Sequence, residues 1–272
     1  MALYIVGTPI GNLGDMSPRA VETLSRCDFV AAEDTRVTGN LLRHFGLRKP
    51  LLSYHEHNRA QSGPGIWERL LAGQEGALVT DAGMPAISDP GEELVAGCAE
   101  RGIEVVLVPG PSAVIGALAL SGLPTGRFCF EGFLSTARKS RHEHLAELKS
   151  EPRTMIFYEA PHKLLNTLRD LREALGDRRI SVSREMTKLY EQTLRGTLSD
   201  ALAHFAQTPP RGEFVLVVEG APPPEPVPVA DALETAKKYR AEGMTVRDAA
   251  RRAAEETGAA RREIYERLTV DS

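Results

Sequence analysis

Through its first 122 residues the chain alternates short apolar runs with longer amphipathic stretches, and that alternation leaves few folds open. Short strands that each feed a helical pattern build a mostly parallel sheet covered by helices. The expected strands are residues 3–6, 29–32, 51–54, 77–80 and 105–108. Ser17 caps a helix that Pro18 opens, running through about Ser25. Further helices are expected near 38–45, 66–72, 92–101 and 112–120. The last is rich in small residues (Ala113, Gly116, Ala117, Ala119), which suits close packing on a sheet or a ligand.

The loops after these strands are unusual in composition. Asp81-Ala-Gly-Met-Pro-Ala-Ile-Ser-Asp89-Pro90-Gly91 follows the fourth strand, and Pro109-Gly110-Pro111-Ser112-Ala113 follows the fifth. Glycine lets backbone approach a ligand closely and proline holds a loop in place. Ordinary turns rarely need this density of Gly, Pro and Asp. A ligand crevice at the carboxyl edge of the sheet is therefore expected. Gly7-Thr-Pro-Ile-Gly-Asn12, after the first strand, adds a third glycine turn to that edge. It lacks dinucleotide-fingerprint spacing, and no P-loop occurs in the chain, which demotes hydride transfer and nucleotide hydrolysis.

Gly122-Leu-Pro-Thr-Gly126 reads as a boundary. Beyond it, strands are expected at 128–133, 154–158, 180–183 and 214–218, helices at 163–175 and 200–206, and a polar insertion at 135–144. Five prolines in residues 221–229 make a stiff, polyproline-like linker. Residues 230–268 are helical in pattern, with nine Lys/Arg against eight Asp/Glu. The expected divisions are 1–122, 123–220, 221–229 and 230–272. In the tail, residues 245–254 lead to Gly258 and a second helix at 259–268, similar to a helix-turn-helix pair. Arg251, Arg252, Arg261 and Arg262 would meet phosphates there, or the unit would serve packing or dimerisation.

With 42% hydrophobic and 26% charged residues the chain reads as a soluble protein. It has no apolar run of bilayer length and no leader-like start, so cytoplasmic residence is expected. Cys27, Cys98 and Cys129 are scattered and expected as reduced core residues. A net charge of -4 excludes an overall basic coat but not a local patch. From Arg36 to Gln61 five Lys/Arg stand against Glu56 alone, a window that reads equally as a surface for an anionic partner or as a solvated helix face.

Polar clusters mark the strand ends. Glu33-Asp34-Thr35-Arg36 is an acid/base group with an anion clamp, or a structural ion pair. His55 and His57 lack the partners of a metal set, and a proton-accepting role suits one of them better. Tyr158-Glu-Ala-Pro-His-Lys163, Arg184-Glu-Met-Thr-Lys188 and Arg211-Gly-Glu213 mark the second half, implying a cleft between two α/β domains.

Taken together, TPIGN, EDTR, SYHEHN, DAGMPAISDPG, PGPSA, ALALSGLP, EGFL, FYEAPHK, REMTK and RGEFVLVVEG resemble, in order, the ribosomal RNA 2'-O-methyltransferase branch of the tetrapyrrole-methylase-like S-adenosylmethionine enzymes. The resemblance covers residues 3–220. It implies two α/β domains with a cofactor cleft between them, a small C-terminal helical extension, and a homodimer. It implies transfer of a methyl group from S-adenosylmethionine to the ribose 2'-hydroxyl of a decoding-centre cytidine in 16S rRNA, on free RNA or the 30S subunit, without a metal. Cofactor contacts are implied at Pro9, Ile10, Gly83, Met84, Ile87, Ser112 and Ala113, and from the second domain at Tyr158, Glu159, Met186 and Glu213. Substrate contacts are implied at Asn12, Arg36, His57, Asn58, Arg138, Lys139, Arg141 and Lys188. A base near the 2'-hydroxyl would help, and Asp34 and His55 are the candidates, with Glu33 next. The alternatives are a small-molecule methylase on the same fold, whose first loop usually reads GxGPGD, and a non-catalytic RNA-binding protein. Three departures stand out: Met84 where the RNA enzymes usually have Thr, Ser135 and Ala137 where Pro and Lys are usual, and Lys163 in place of Arg, which keeps charge but loses the bidentate fork.

Overall fold

The apolar runs pair side by side, and the three central strands are buried on both faces while the two edge strands are partly exposed. In the computed structural model, which describes residues 1–223 and 229–270, β1 (Ala2–Val6), β2 (Phe29–Ala32), β3 (Leu51–Ser53), β4 (Gly76–Val79) and β5 (Glu104–Val108) form one sheet. Its order is β3-β2-β4-β1-β5 and every pairing is parallel. Alternation along the strands divides the side chains between two helical layers. Leu3, Ile5, Phe29, Ala31 and Leu78 pack with α3 (Arg59–Leu71) and α4 (Glu92–Glu100). Val6, Val30, Ala32, Ala77 and Val79 pack with α1 (Pro18–Arg26) and α2 (Thr35–His44). Ser17 caps α1, its side chain accepting from the Ala20 N–H at 3.1 Å.

Helix α5 (Ala113–Ser121) leaves β5 and turns to the second sheet, where Val114, Ala117 and Leu118 pack on Ile156, Val215 and Val217. That sheet comprises β6 (Phe128–Phe133), β7 (Thr154–Glu159), β8 (Arg179–Arg184), β9 (Gln192–Thr197) and β10 (Phe214–Val218), in the order β6-β7-β10-β8-β9. Only β6 and β7 run parallel; the other pairings are antiparallel. Its far face is closed by α6 (Arg138–Glu147), α7 (Leu164–Leu175) and α8 (Leu198–Gln207) around Phe157, Leu168 and Leu216.

Three elements differ from the sequence reading. β9 was not expected: QTLRGT is a half-exposed edge strand carrying Arg195 and Gly196. The polar stretch after β6 is helical, although Leu145 is its only buried residue and it has no apolar stripe to announce it. Helix α3 starts at Arg59, well before the expected 66, and carries Pro64 in its interior. Gly63 and Pro64 read locally as breakers, but the helix tolerates one lost hydrogen bond because Ile66 and Leu70 anchor it to the sheet.

The chain divides into two compact units, Met1–Ala221 and Pro222–Ser272. Most of the expected proline linker, residues 224–228, lies outside the described residues. The second unit holds α9 (Val229–Ala241), α10 (Val246–Thr257) and α11 (Arg261–Val270) around Ala232, Ala236, Ala250, Ala253, Ile264 and Leu268. Thr245 caps α10, accepting from the Asp248 N–H at 3.2 Å. No described helix is long and apolar enough to cross a membrane.

Candidate active site

Parallel strands bring all their carboxyl ends to one edge, so the loops after β1, β4 and β5 must meet there. Backbone hydrogen bonds knit them. The Thr8 N–H donates to the Gly83 carbonyl at 2.9 Å and the Gly83 N–H returns to Thr8 at 3.1 Å. The Gly7 N–H donates to Val108 at 3.0 Å, and the buried Thr8 hydroxyl donates to Thr80 at 3.1 Å. Gly7 and Gly110 lie backbone to backbone: a Cβ on Gly110 would stand 2.8 Å from Gly7 Cα. That contact is why glycine is required at both.

Facing these loops across α5 are the ends of β7, β8 and β10. Between the two sets lies a cavity of about 430 Å³, within the usual range for a small-molecule site. Four non-glycine residues have left-handed backbone, Ala86 (φ 67°), Ser88 (φ 60°), Glu185 (φ 50°) and Thr187 (φ 65°). Ser88 and Glu185 line the cavity and the other two adjoin lining residues. Strain of this kind clusters where a ligand is held.

The lining mixes carboxyl groups with apolar and aromatic surface, both supplied from each set of strand ends. Glu33, Asp81 and Asp89 contribute carboxyl groups; Ile10, Met84, Ile87, Met186, Phe133 and Tyr158 contribute apolar and aromatic surface. The Phe133 and Tyr158 rings stand 5.5 Å apart. Glu33 is fixed by the Thr80 hydroxyl, which donates to it at 2.8 Å. Burial, with the like charge of Glu33 behind it, pushes the Asp89 carboxyl up to about 6. Burial raises Asp81 as well, against the Asp34 N–H that donates to it at 3.2 Å. Burial and then the Asp89 charge push the Tyr158 hydroxyl up to about 12. Among the described residues no group of three His, Cys, Asp or Glu is placed to hold a metal ion. The carboxyl groups of the lining suit a cationic ligand.

Ten of the residues expected to hold the cofactor line this cavity: Ile10, Gly83, Met84, Ile87, Ser112, Ala113, Tyr158, Glu159, Met186 and Glu213. Pro9 lines a neighbouring cavity of about 380 Å³, together with Lys188 and residues of α2. The buried Glu159 is itself held in place, accepting from the Thr167 hydroxyl and from the Ala160 N–H at 2.8 Å. Of the three base candidates Glu33 alone lines the cavity. Asp34 caps α2 and forms a two-pronged pair with Arg36, whose side-chain hydrogen bonds, then its backbone N–H, hold the carboxyl down to about 2. His55 lies in the turn after β3 with a buried, unpartnered Nδ1, its ring 6.1 Å from that of His57.

The expected substrate residues divide. Asn58 accepts from the His55 N–H at 2.7 Å and donates to Ser53, so it shapes its own turn. Asn12 accepts from the Gly14 N–H at 3.0 Å. Arg141 is taken up by Asp170 at 2.6 Å and by Thr167 at 2.8 Å. Lys188 bridges Glu185 and Glu213 at 3.1 and 3.0 Å. Arg36, His57, Arg138 and Lys139 are exposed. Asp81 and Asp89 were missed as site residues, although two carboxylates bracketing one Gly/Pro loop are a signal the sequence carries. Phe133 had no such signal, and Glu185 stood unassigned within the Arg184–Lys188 cluster.

The family model of Tetrapyrrole (Corrin/Porphyrin) Methylases matches residues 2–202. A relative named ribosomal RNA small subunit methyltransferase I, from Synechocystis, is 52% identical over 267 residues, covering 97% of this chain and 96% of its own. One of the same name from Bacillus subtilis is 44% identical over 270 residues, covering 97% and 92%. Another from Thermotoga maritima is 49% identical over 218 residues, covering 98% of its own length but 80% of this chain. Among solved structures, a cobalt precorrin-4 methyltransferase of cobalamin biosynthesis aligns with a TM-score of 0.59 at 18% identity, covering 80% of this chain and 94% of the other, which speaks for the fold alone.

Proposed function

The chain belongs to the family of tetrapyrrole (corrin/porphyrin) methylases, alongside its ribosomal RNA small subunit methyltransferase I members, and we propose that it methylates the ribose 2'-hydroxyl of a decoding-centre cytidine in 16S rRNA, with S-adenosylmethionine as donor. The observation that carries this reading is the loop-built cavity whose lining combines carboxyl groups with apolar and aromatic surface. A sulfonium nucleoside matches both kinds of surface. Glu33, Asp81 and Asp89 favour the cation, while Tyr158, Phe133, Ile10 and Met186 offer surface to the rest of the molecule. Backbone from the loops after β1, β4 and β5 can approach closely because glycines stand at the contacts.

Bound there, S-adenosylmethionine supplies a methyl group already activated toward displacement. The protein's part is alignment and proton removal. Alignment contributes on the order of 7–11 kcal/mol in favourable systems. A positioned base adds roughly 100- to 10,000-fold. Glu33, Asp34 and His55 are the bases proposed from the sequence. Arg36, Arg138 and Lys139 are exposed cations for the RNA backbone. Leu107, on the edge strand β5, and Ile115 and Leu120, on α5, are large apolar side chains 40–56% exposed, the kind of surface a homodimer covers. On this reading the protein acts in the cytoplasm, with its ribosomal substrate.

The test is incorporation of labelled methyl groups by the purified full chain into 30S particles and into free 16S rRNA, followed by mapping. The expected product is one 2'-O-methylated cytidine. Donor binding without transfer to any RNA would make this an RNA-binding protein instead, and transfer to a tetrapyrrole would make it a small-molecule methylase.

A further inference from the structure

A second cavity, of about 380 Å³, adjoins the one proposed for the donor. Helix α2 walls it with Val37, Asn40 and His44, and the loop after β1 with Pro9 and Leu13. The two cavities meet along one strip, made of Ile10, Thr80, Asp81, Ala82 and Glu213. Two carboxylates lie on that strip. Glu213 is taken up by Lys188 at 3.0 Å. Asp81 forms no salt bridge among the described residues, and the Asp34 N–H donates to only one of its oxygens.

The remaining lining suits a flat, partly polar ring. Leu13 and Val37 are large apolar side chains left 44% and 41% exposed. Asn40 and His44 add groups able to hydrogen-bond a base edge. Arg36 and Arg43, on the same helix, are exposed cations at hand for the adjoining phosphates. RNA bases are read in sequence-specific fashion when splayed out of the stack and placed on such surfaces.

Building on the function proposed above, we infer that this second cavity is the acceptor subsite, which takes one unstacked pyrimidine nucleoside of single-stranded RNA and sets its 2'-hydroxyl against Asp81 as the proton acceptor. The ribose oxygen bonds to the methyl carbon, the carbon–sulfur bond breaks with its electron pair left on sulfur, and the hydroxyl proton ends on the Asp81 carboxylate. The raised affinity of Asp81 for protons makes it a better base than an unperturbed aspartate. The charged groups facing it are Glu33 and Asp34 at the end of β2, Arg36 on α2, Asp89 in its own loop, and Glu213 with Lys188 across the strip. Asp34 is held ionised by Arg36, so it adds charge to this surface but takes no proton near neutrality.

The test uses the full chain, with cytidine 5'-monophosphate as probe in saturation-transfer NMR and single-turnover methylation of 30S particles as a second measurement. In the unaltered protein the probe's ring protons should receive saturation, and methylation should rise with pH as Asp81 ionises. Val37→Trp fills the cavity: ring saturation should vanish and methylation fall by about 100-fold or more, with affinity for S-adenosylhomocysteine held within about twofold. Leu13→Trp repeats the test from the other element should Val37→Trp not fold. Asp81→Asn should keep the saturation signal, lose about 100-fold or more in rate, and flatten the pH profile. No saturation in the unaltered protein, or saturation and methylation intact in both tryptophan variants, would place the nucleoside elsewhere. An unchanged rate and profile in Asp81→Asn would remove the base. If the unaltered protein methylates no RNA at all, the proposed function fails; loss of ring saturation in Val37→Trp would still locate a nucleoside in this cavity.

Discussion

Asp89 shows how far one residue's chemistry is set by its neighbours. Its carboxyl is half-buried and near the charge of Glu33, so it holds its proton up to about pH 6. Below that pH it is neutral and the cavity has lost a negative charge; above it the charge is restored. A cationic ligand favours the ionised form and draws the proton off, so its affinity must rise with pH through this window. Affinity for S-adenosylmethionine, measured by calorimetry, should therefore increase on the order of fivefold from about pH 5 to about pH 7.5. Affinity for the uncharged thioether product S-adenosylhomocysteine should change far less, and Asp89→Asn should remove the difference between the two. A pH-independent donor affinity would mean that Asp89 does not sense the bound cation. The paired carboxylate Asp34 behaves oppositely: Arg36 holds it ionised down to about pH 2, so its charge is constant over the same window. Asp34 also caps α2, which predicts that Asp34→Ala costs about 1 kcal/mol of stability in urea unfolding while Asp34→Asn, an equally good cap, costs little.

At the scale of elements, the loops after β1 and β5 behave as one part, because Gly7 and Gly110 touch through their backbones. A methyl group on Gly110 would press on backbone atoms at 2.8–2.9 Å, which no rotamer change relieves. Gly110→Ala should destabilise the fold by about 1–3 kcal/mol in denaturant unfolding and weaken donor binding at the same time. Normal binding in a destabilised Gly110→Ala protein would uncouple the two loops. This edge was legible in the sequence, since short apolar runs and loops dense in Gly, Pro and Asp are local signals. What was not legible depends on partners distant in the chain. β9 is a strand because β8 offers it an edge, and Arg195 and Gly196 hide that locally. α6 has one buried leucine and nothing periodic to betray it. Asp81 and Asp89 could be read as loop residues, but only the fold shows that Glu33, from a different strand, stands with them around one cavity.

At the scale of the molecule, the chain is two units of unequal character. Residues 1–221 contain both sheets, the cavities and every residue named in the chemistry. The second unit has a core of its own, built mostly from alanines, which bury little area each. Three of the four arginines named above have partners: Arg251 pairs with Glu255 at 3.3 Å and Arg262 with Glu266 at 2.8 Å, while Arg252 lies over the Tyr239 ring. Such surface pairs are worth little and can exchange for phosphates at small cost. The Thermotoga relative is matched over nearly its whole length while leaving uncovered a share of this chain about the size of the second unit. The cofactor site should accordingly persist without that unit. A chain ending at Ala221 should fold, bind S-adenosylhomocysteine with affinity within about twofold of the full chain, and bind 30S particles more weakly. Every phosphate contact that the second unit makes should, when lost, flatten the salt dependence of RNA binding by roughly 0.7–0.9 in log–log slope. If the slope is unchanged while sedimentation shows a shift from dimer to monomer, the helical unit serves assembly, and the RNA contacts lie wholly on the first unit.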